Sequence, residues 1–248
     1  ELIGQMWNNP DEIPGNGVDD DNDGYIDNVH GVDTVNFDGD PMDDNGHGTH
    51  CAGTIGAAAN DGNAHVGVAW EVSLMACKFL SADGWGYTSG AIAGIDFAVA
   101  NGARILSNSW GGGGESQSLY DAIVRAREAG VVFLAAAGNS GVDTDSSPHY
   151  PSSYDVENII AVSAVDRNGQ LASWSNYGRN TVDVGAPGVD IFSSVSDSDS
   201  SYAYYSGTSM ATPHVVGIAA LMLANDPELT AGQLKSGILH TSVLLDNL

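Results

Sequence analysis

Apolar residues are spread unevenly along this chain, and their spacing predicts where it folds. Residues 8–46 hold only short apolar pieces among Asp, Asn, Gly and Pro, and read as loop. From His47 the character changes. Positions 47–59 are small and apolar and predict a buried, Gly-tolerant helix, and Glu71 to Leu80 predicts a strand. Thr88 to Asn101 shows apolar residues at helical spacing and stops at Gly102. A short strand at Arg104 to Ser109 precedes an amphipathic helix, Ser118 to Ala129, closed by Gly130. Val131 to Ala137 is a continuous apolar run, the pattern of a parallel strand buried on both faces. Further strands follow at Asn158 to Val165 and Thr181 to Val184. An apolar helix from Pro213 to Ala224 is entered through Gly207, Thr208 and Ser209, and a last helix spans Thr230 to His240. Strands alternate with helices, which predicts a single α/β domain with a mostly parallel central sheet flanked by helices on both faces.

The length of 248 residues suffices for one substantial core. There are 7 Lys+Arg against 32 Asp+Glu, a net charge of −25, which argues against binding nucleic acid. Charged residues total only 16%, and 25 of the 32 acids are Asp. Asp-rich loops suit hard, oxygen-seeking cations, of which calcium is the commonest outside the cell. No apolar run of about 18 residues occurs, so no membrane-spanning helix is expected. Two cysteines, Cys51 and Cys77, make no disulfide framework and read as buried thiols.

Three junction segments could carry chemistry. They are Asn45 to Thr54 around His47-Gly-Thr-His50, Ala135 to Ser140 around Gly138-Asn139, and Ser206 to His214 around Ser209. A serine hydroxyl becomes nucleophilic when an imidazole takes its proton. Ser209 stands where small residues give way to an apolar helix, whose free N–H groups and positive end stabilise a developing oxyanion. Asn139 follows a buried strand and could aim its amide at the same oxyanion, with His47 as general base.

With HGTHCAGT, AAAGN, SNSWGG and GTSMATPH in this order, the chain resembles the subtilisin-like serine proteases from residue 1 almost to its end. The resemblance implies a subtilisin-like fold and a secreted serine endopeptidase, with His47 as base, Ser209 as nucleophile and Asn139 as oxyanion donor. It also implies that Ser109, Trp110, Gly111 and Gly112, with Ala136, Ala137 and Gly138, flank the substrate. Partners would be protein or peptide substrates and the enzyme's own N-terminal propeptide, with neither nucleic acid nor membrane, and the protein would be a monomer.

The family orders its triad Asp, His, Ser, and the Asp motif D-[ST]-G is missing here. Glu1-Leu2 resembles the end of the H-P-[DE]-L segment that follows it, placing the catalytic Asp and its strand about nine residues before residue 1. The closing segment of the family is also missing, so residues 1–248 read as a catalytic domain truncated at both ends. Asp33 is no substitute, because it lies 14 residues before His47 without the motif's Gly or a preceding apolar strand. The chain as given is therefore expected to be a poor protease.

Asp19 to Asp27 carries D-x-D-x-D-G with a further Asp at the ninth position. Asp19, Asp21, Asp23 and Asp27 with the Tyr25 carbonyl are expected to hold calcium in an EF-hand-like loop, with His30 where the bidentate Glu would stand. Resemblance to calcium-binding subtilases implies a second site at Asp33, Asp38, Asp40 and the Met42 carbonyl. A third would use Asp61 with the carbonyls of Ala58, Asn63 and His65, and Glu1.

Competing readings are a non-catalytic calcium-binding module on the same fold, an α/β-hydrolase, and a zinc hydrolase using His47 and His50. The hydrolase lacks G-x-S-x-G, and its His would have to follow the Ser; His214 does, but one turn from Ser209 on the same helix it reads as packing. The zinc reading lacks H-E-x-x-H. His149 precedes Tyr150-Pro151, where the family places the floor of its first specificity pocket; it either shapes that pocket or sits on a plain surface loop.

Overall fold

The structure, a computed structural model, describes residues 1–245, so the last three residues of the expected domain lie outside it. The continuous apolar runs form its centre. Strands β3 (Ile105–Asn108), β4 (Val132–Ala136), β5 (Ile159–Val165) and β6 (Val184–Pro187) make a parallel sheet in that order. Every residue of β4 and β5 is buried.

Period two assigns these side chains to opposite faces. Val132, Leu134, Ile160 and Val162 join Val215 and Leu234 in one core cluster, built with α1 (His47–Gly56), α4 (Thr208–Asn225) and α5 (Ala231–Thr241). Phe133, Ala135 and Ile159 join Ile95, Leu119 and Ile123 on the other face, under α2 (Thr88–Ala100) and α3 (Gln117–Glu128). Fully burying one such large side chain contributes about 1.5–3 kcal/mol. Helices thus cover both faces of a mostly parallel sheet, as the pattern predicts.

The departures are local. The 71–80 segment is a strand only at Ala76–Lys78 (β2), which pairs in parallel with Gly31–Asp33 (β1) inside the stretch read as loop. Three residues between turns are too few to show a period, although Val32 is fully buried. An antiparallel hairpin of β7 (Ile191–Ser194) and β8 (Tyr202–Tyr205) precedes α4 and was not legible either. Helix α4 begins at Thr208, five residues before Pro213. The parallel strands form two separate sheets: β2 ends one and β3 begins the other, with no ladder between them.

Candidate active site

His47 is the first residue of α1. Its N-cap, Gly46, has φ of 98°, a left-handed conformation that suits glycine, but it offers no side chain to the open N–H groups. Asp43 supplies the missing oxygen. Its carboxylate accepts from the Thr49 N–H at 2.8 Å, the Thr49 hydroxyl at 2.6 Å, and the N–H groups of Gly46 and Asn45 at 2.9 Å. Burial alone would raise the Asp43 pKa, yet the Thr49 hydroxyl and these N–H groups hold it below its ordinary value. Burial lowers the His47 pKa, opposed by the nearby charge of Asp43. Among the described residues no carboxylate hydrogen-bonds the His47 ring.

Ser209 lies in the first turn of α4. Its carbonyl would normally accept from the N–H four residues on, but that residue is Pro213, which has none. The Ser109 hydroxyl at 2.8 Å and the Cys51 thiol at 3.3 Å donate to it instead. Ser209 Oγ in turn donates to the Ser109 carbonyl at 3.1 Å. Three segments far apart in sequence therefore meet at Ser209, and the Ser109 carbonyl holds its hydroxyl.

Asn139 follows β4. The Thr208 backbone N–H and the Thr208 hydroxyl both reach its Oδ1 at 2.9 Å. A backbone N–H can only donate, so the atom facing it is oxygen and the amide nitrogen is left to donate elsewhere. Thr208 also accepts from the Gly138 N–H at 3.1 Å, tying the end of β4 to the start of α4. His47, Asn139 and Ser209 line one cleft of about 360 Å³ with Tyr204, Ser206 and Gly207.

Of the flanking residues, Trp110 packs its ring 5.0 Å from that of Phe79 and donates Nε1–H to Asn108. Gly111 and Gly112 are exposed, and Gly112 N–H donates to the Tyr150 carbonyl. Ala136 and Ala137 are buried, and the Ala137 carbonyl accepts from Asn176 at 2.8 Å. His50 is not placed as a metal ligand: its Nε2 contacts the Ile191 carbonyl at 3.0 Å, and its ring stacks on Tyr205 at 4.5 Å. His214 contacts the Met210 carbonyl through Nδ1 within α4, a packing role.

The structure gathers the acidic residues selectively. Glu12, Asp19 and Asp21 place carboxylate oxygens within 4.8 Å of one another, the only such cluster of acids, His or Cys among the described residues. The sequence reading missed Glu12, a buried acid whose two oxygens accept from the N–H groups of Asp20 and Asp27. Its one signal was an acid upstream of an all-Asp loop. Burial raises the Asp23 carboxyl above its ordinary pKa, and the charges of Asp21 and Asp19 add to this. Asp27 turns away and accepts from Asn16 and Gly17, while the Tyr25 N–H donates to Asp23.

The side chains of Asp33, Asp38 and Asp40 form no such cluster among the described residues. Asp33 is buried and accepts from Val35 and Asn36, with the Lys78 ammonium 3.8 Å away. Asp38 and Asp40 accept from the N–H groups of Asp40 and Met42 in their own turns. Asp61 is matched by the Asn63 N–H and side-chain amide. The Ala58 N–H contacts the Glu1 carbonyl, and the Glu1 side chain takes His65 Nδ1 at 3.4 Å and the Tyr202 hydroxyl at 2.8 Å.

Residues 4–247 match the Subtilase family of peptidases. The chain is 41% identical over 218 residues to Subtilisin DY of Bacillus licheniformis, covering 88% of this chain and 77% of that protein. Thermitase of Thermoactinomyces vulgaris is 40% identical over 86% of this chain and 73% of its own length. The thermostable alkaline protease of Halalkalibacterium halodurans is 41% identical over 203 residues, covering 82% of this chain and 54% of that protein. The crystal structure of a cold adapted subtilisin-like serine proteinase superposes with a TM-score of 0.74 at 38% identity, covering 94% of this chain and 77% of that one.

Proposed function

We propose, from the chain's membership of the subtilase family, that it carries the machinery of a secreted serine endopeptidase acting on proteins through an acyl-enzyme. The observation that carries this reading is the meeting of His47, Asn139 and Ser209 in one cleft, with the Asn139 amide left free to donate. In the reaction, His47 takes the proton of Ser209 as its oxygen attacks the substrate carbonyl, then returns it to the leaving amine. Asn139 donates to the oxyanion; in subtilisin itself, loss of the equivalent donor costs about 10²–10³ in turnover.

Among the described residues no carboxylate hydrogen-bonds the His47 ring to hold its tautomer, and the Asp43 oxygens are engaged at the start of α1. These 248 residues alone are therefore expected to hydrolyse protein poorly. In subtilisin itself, removing the triad Asp costs about 3 × 10⁴ in turnover. Calcium is assigned to the Asp19–Asp27 loop. Glu12, Asp19 and Asp21 fit a hard cation, because clustered oxygens offset its charge while leaving it would let them repel one another. Its part is to hold the loop, with no share in bond cleavage.

The test is covalent. A fluorophosphonate should label Ser209 in the folded chain, slowly, and neither Ser209→Ala nor His47→Ala should label. Label on another serine, or undiminished label in Ser209→Ala, would reject the nucleophile. A chain that takes no label while binding calcium would instead be a calcium-binding module on a subtilase fold.

A further inference from the structure

His47 and Ser209 stand on different helices, and the β7–β8 hairpin lies between the two. Tyr205 ends β8, and only Ser206, Gly207 and Thr208 separate it from Ser209. Its ring stacks on the His50 imidazole of α1, with centroids 4.5 Å apart and planes 9° from parallel. Its hydroxyl lies beside Gly46, 3.6 Å from where a methyl group on that glycine would stand. Gly46 and His50 bracket His47 in the sequence, so Tyr205 meets α1 both before and after the proposed base. The same tyrosine lines the cleft with His47, Asn139 and Ser209.

His50 is the residue of α1 that holds the hairpin, and it is fully buried. The Ile191 carbonyl can only accept, so at 3.0 Å Nε2 carries the ring hydrogen and donates it to β7. The Ser193 hydroxyl donates back to the His50 carbonyl at 2.8 Å. A methyl group on Gly53, further along α1, would collide with the hydroxyls of Ser193 and Ser194, so the hairpin lies directly against the helix. One imidazole therefore grips both strands, β7 by its N–H and β8 by its face. Among the described residues, Nδ1 of the same ring is buried without a hydrogen-bond partner. A buried acceptor without a donor costs stability, so packing alone does not account for an imidazole at this position.

We propose that His50 is a positioning residue for the catalytic pair: its N–H on Ile191 and its face on Tyr205 set the distance between His47 and the Ser209 hydroxyl. This rests on the endopeptidase reading above. Fully buried and no part of the cleft wall, the ring acts through Tyr205. Misplacing reacting groups by about 1 Å costs on the order of a hundredfold in rate, so a small shift of the hairpin is enough to slow the reaction.

The experiment follows fluorophosphonate labelling of Ser209 in the folded chain and separates affinity for the reagent from the rate constant of the bound step, with circular dichroism checking the fold of each variant. His50→Phe keeps a ring for Tyr205 but removes the N–H. It should lower the rate constant about ten- to a hundredfold and leave the affinity unchanged. His50→Gln, whose amide can still donate to Ile191, should recover part of that loss. Tyr205→Leu should slow the bound step too, and the double variant His50→Phe, Tyr205→Leu should lose less than the product of the two single losses, because the residues act through one contact. A ring that serves only stability would lower the melting temperature and leave the rate constant of the folded molecules as it was. That outcome, a loss confined to affinity, losses that multiply, or failure of both His50 variants to fold would overturn the proposal. Failure of the endopeptidase reading shows separately, as absent labelling of Ser209 in the unmutated chain.

Discussion

Four imidazoles in this molecule are held below their ordinary pKa, each chiefly by burial: His47, His50, His149 and His214. A histidine whose folded pKa lies below its unfolded value binds fewer protons folded than unfolded, so stability rises with pH across that interval. It is fully present above the unfolded value of about 6.5 and is lost as pH falls below it. Following the ring protons of the seven histidines by NMR should place these four midpoints below those of the unfolded chain, with the melting temperature falling over the same range. Midpoints at or above the unfolded values would refute this. For His47 the shift suits the proposed role of general base, since a base must be neutral to accept a proton. The residues proposed for the chemistry were legible because their motifs are contiguous. Their supports were not: nothing in GTSMATPH says that Thr208 turns the Asn139 amide, or that Ser109 and Cys51 answer for the N–H that Pro213 lacks.

Helix α1 shows the same division. Its apolar course from His47 was readable, but its cap was not, because Gly46 at the N-cap lacks a side chain and the oxygen comes from Asp43, six residues before Thr49. Asp43→Ala should lower stability by about 1–3 kcal/mol, since it strips the N–H groups at the helix start and removes a negative charge from its positive end. Chemical denaturation of the variant checks this; a change below about 0.5 kcal/mol would mean that water replaces the carboxylate without loss. Because hydrogen bonds depress the Asp43 pKa, its contribution is present above the unfolded pKa of 3.8 and disappears as pH drops through the lower folded value. The strands divide likewise. β4 and β5 announce themselves as unbroken apolar runs, whereas β1 is three residues whose pairing with β2 depends on a partner 45 positions away. The acidic loops were readable as cation-seeking in composition only. Where each carboxylate points is set by turn geometry, which sends Asp27 and Asp33 onto nearby backbone and brings in Glu12 instead.

At the scale of the whole chain, a net charge of −25 makes bound cations matter beyond their own loop. Calcium binding only the folded state stabilises it by mass action, by about 2.7 kcal/mol at a hundredfold excess over its dissociation constant. Adding a chelator should lower the melting temperature, and Glu12→Gln should both weaken calcium binding and shrink the chelator's effect. A melting temperature indifferent to chelator, with no metal in the folded protein, would remove calcium from the account. The interruption between β2 and β3 has a consequence of a different kind. Buried β4 and β5, paired on both sides, form a unit that opens only with the rest of the core, while the three-residue pair β1 and β2 is joined to it by no ladder. Amide exchange with deuterated water should therefore separate into two classes, with the β4 and β5 amides exchanging at the rate of global unfolding and those of β1 and β2 much faster through local opening. Uniform protection across all six parallel strands would mean that the two sheets unfold as one. Separate classes would make β1 and β2 the part of the molecule that lets go first, leaving the Ser209 end of the cleft standing on a core that remains folded.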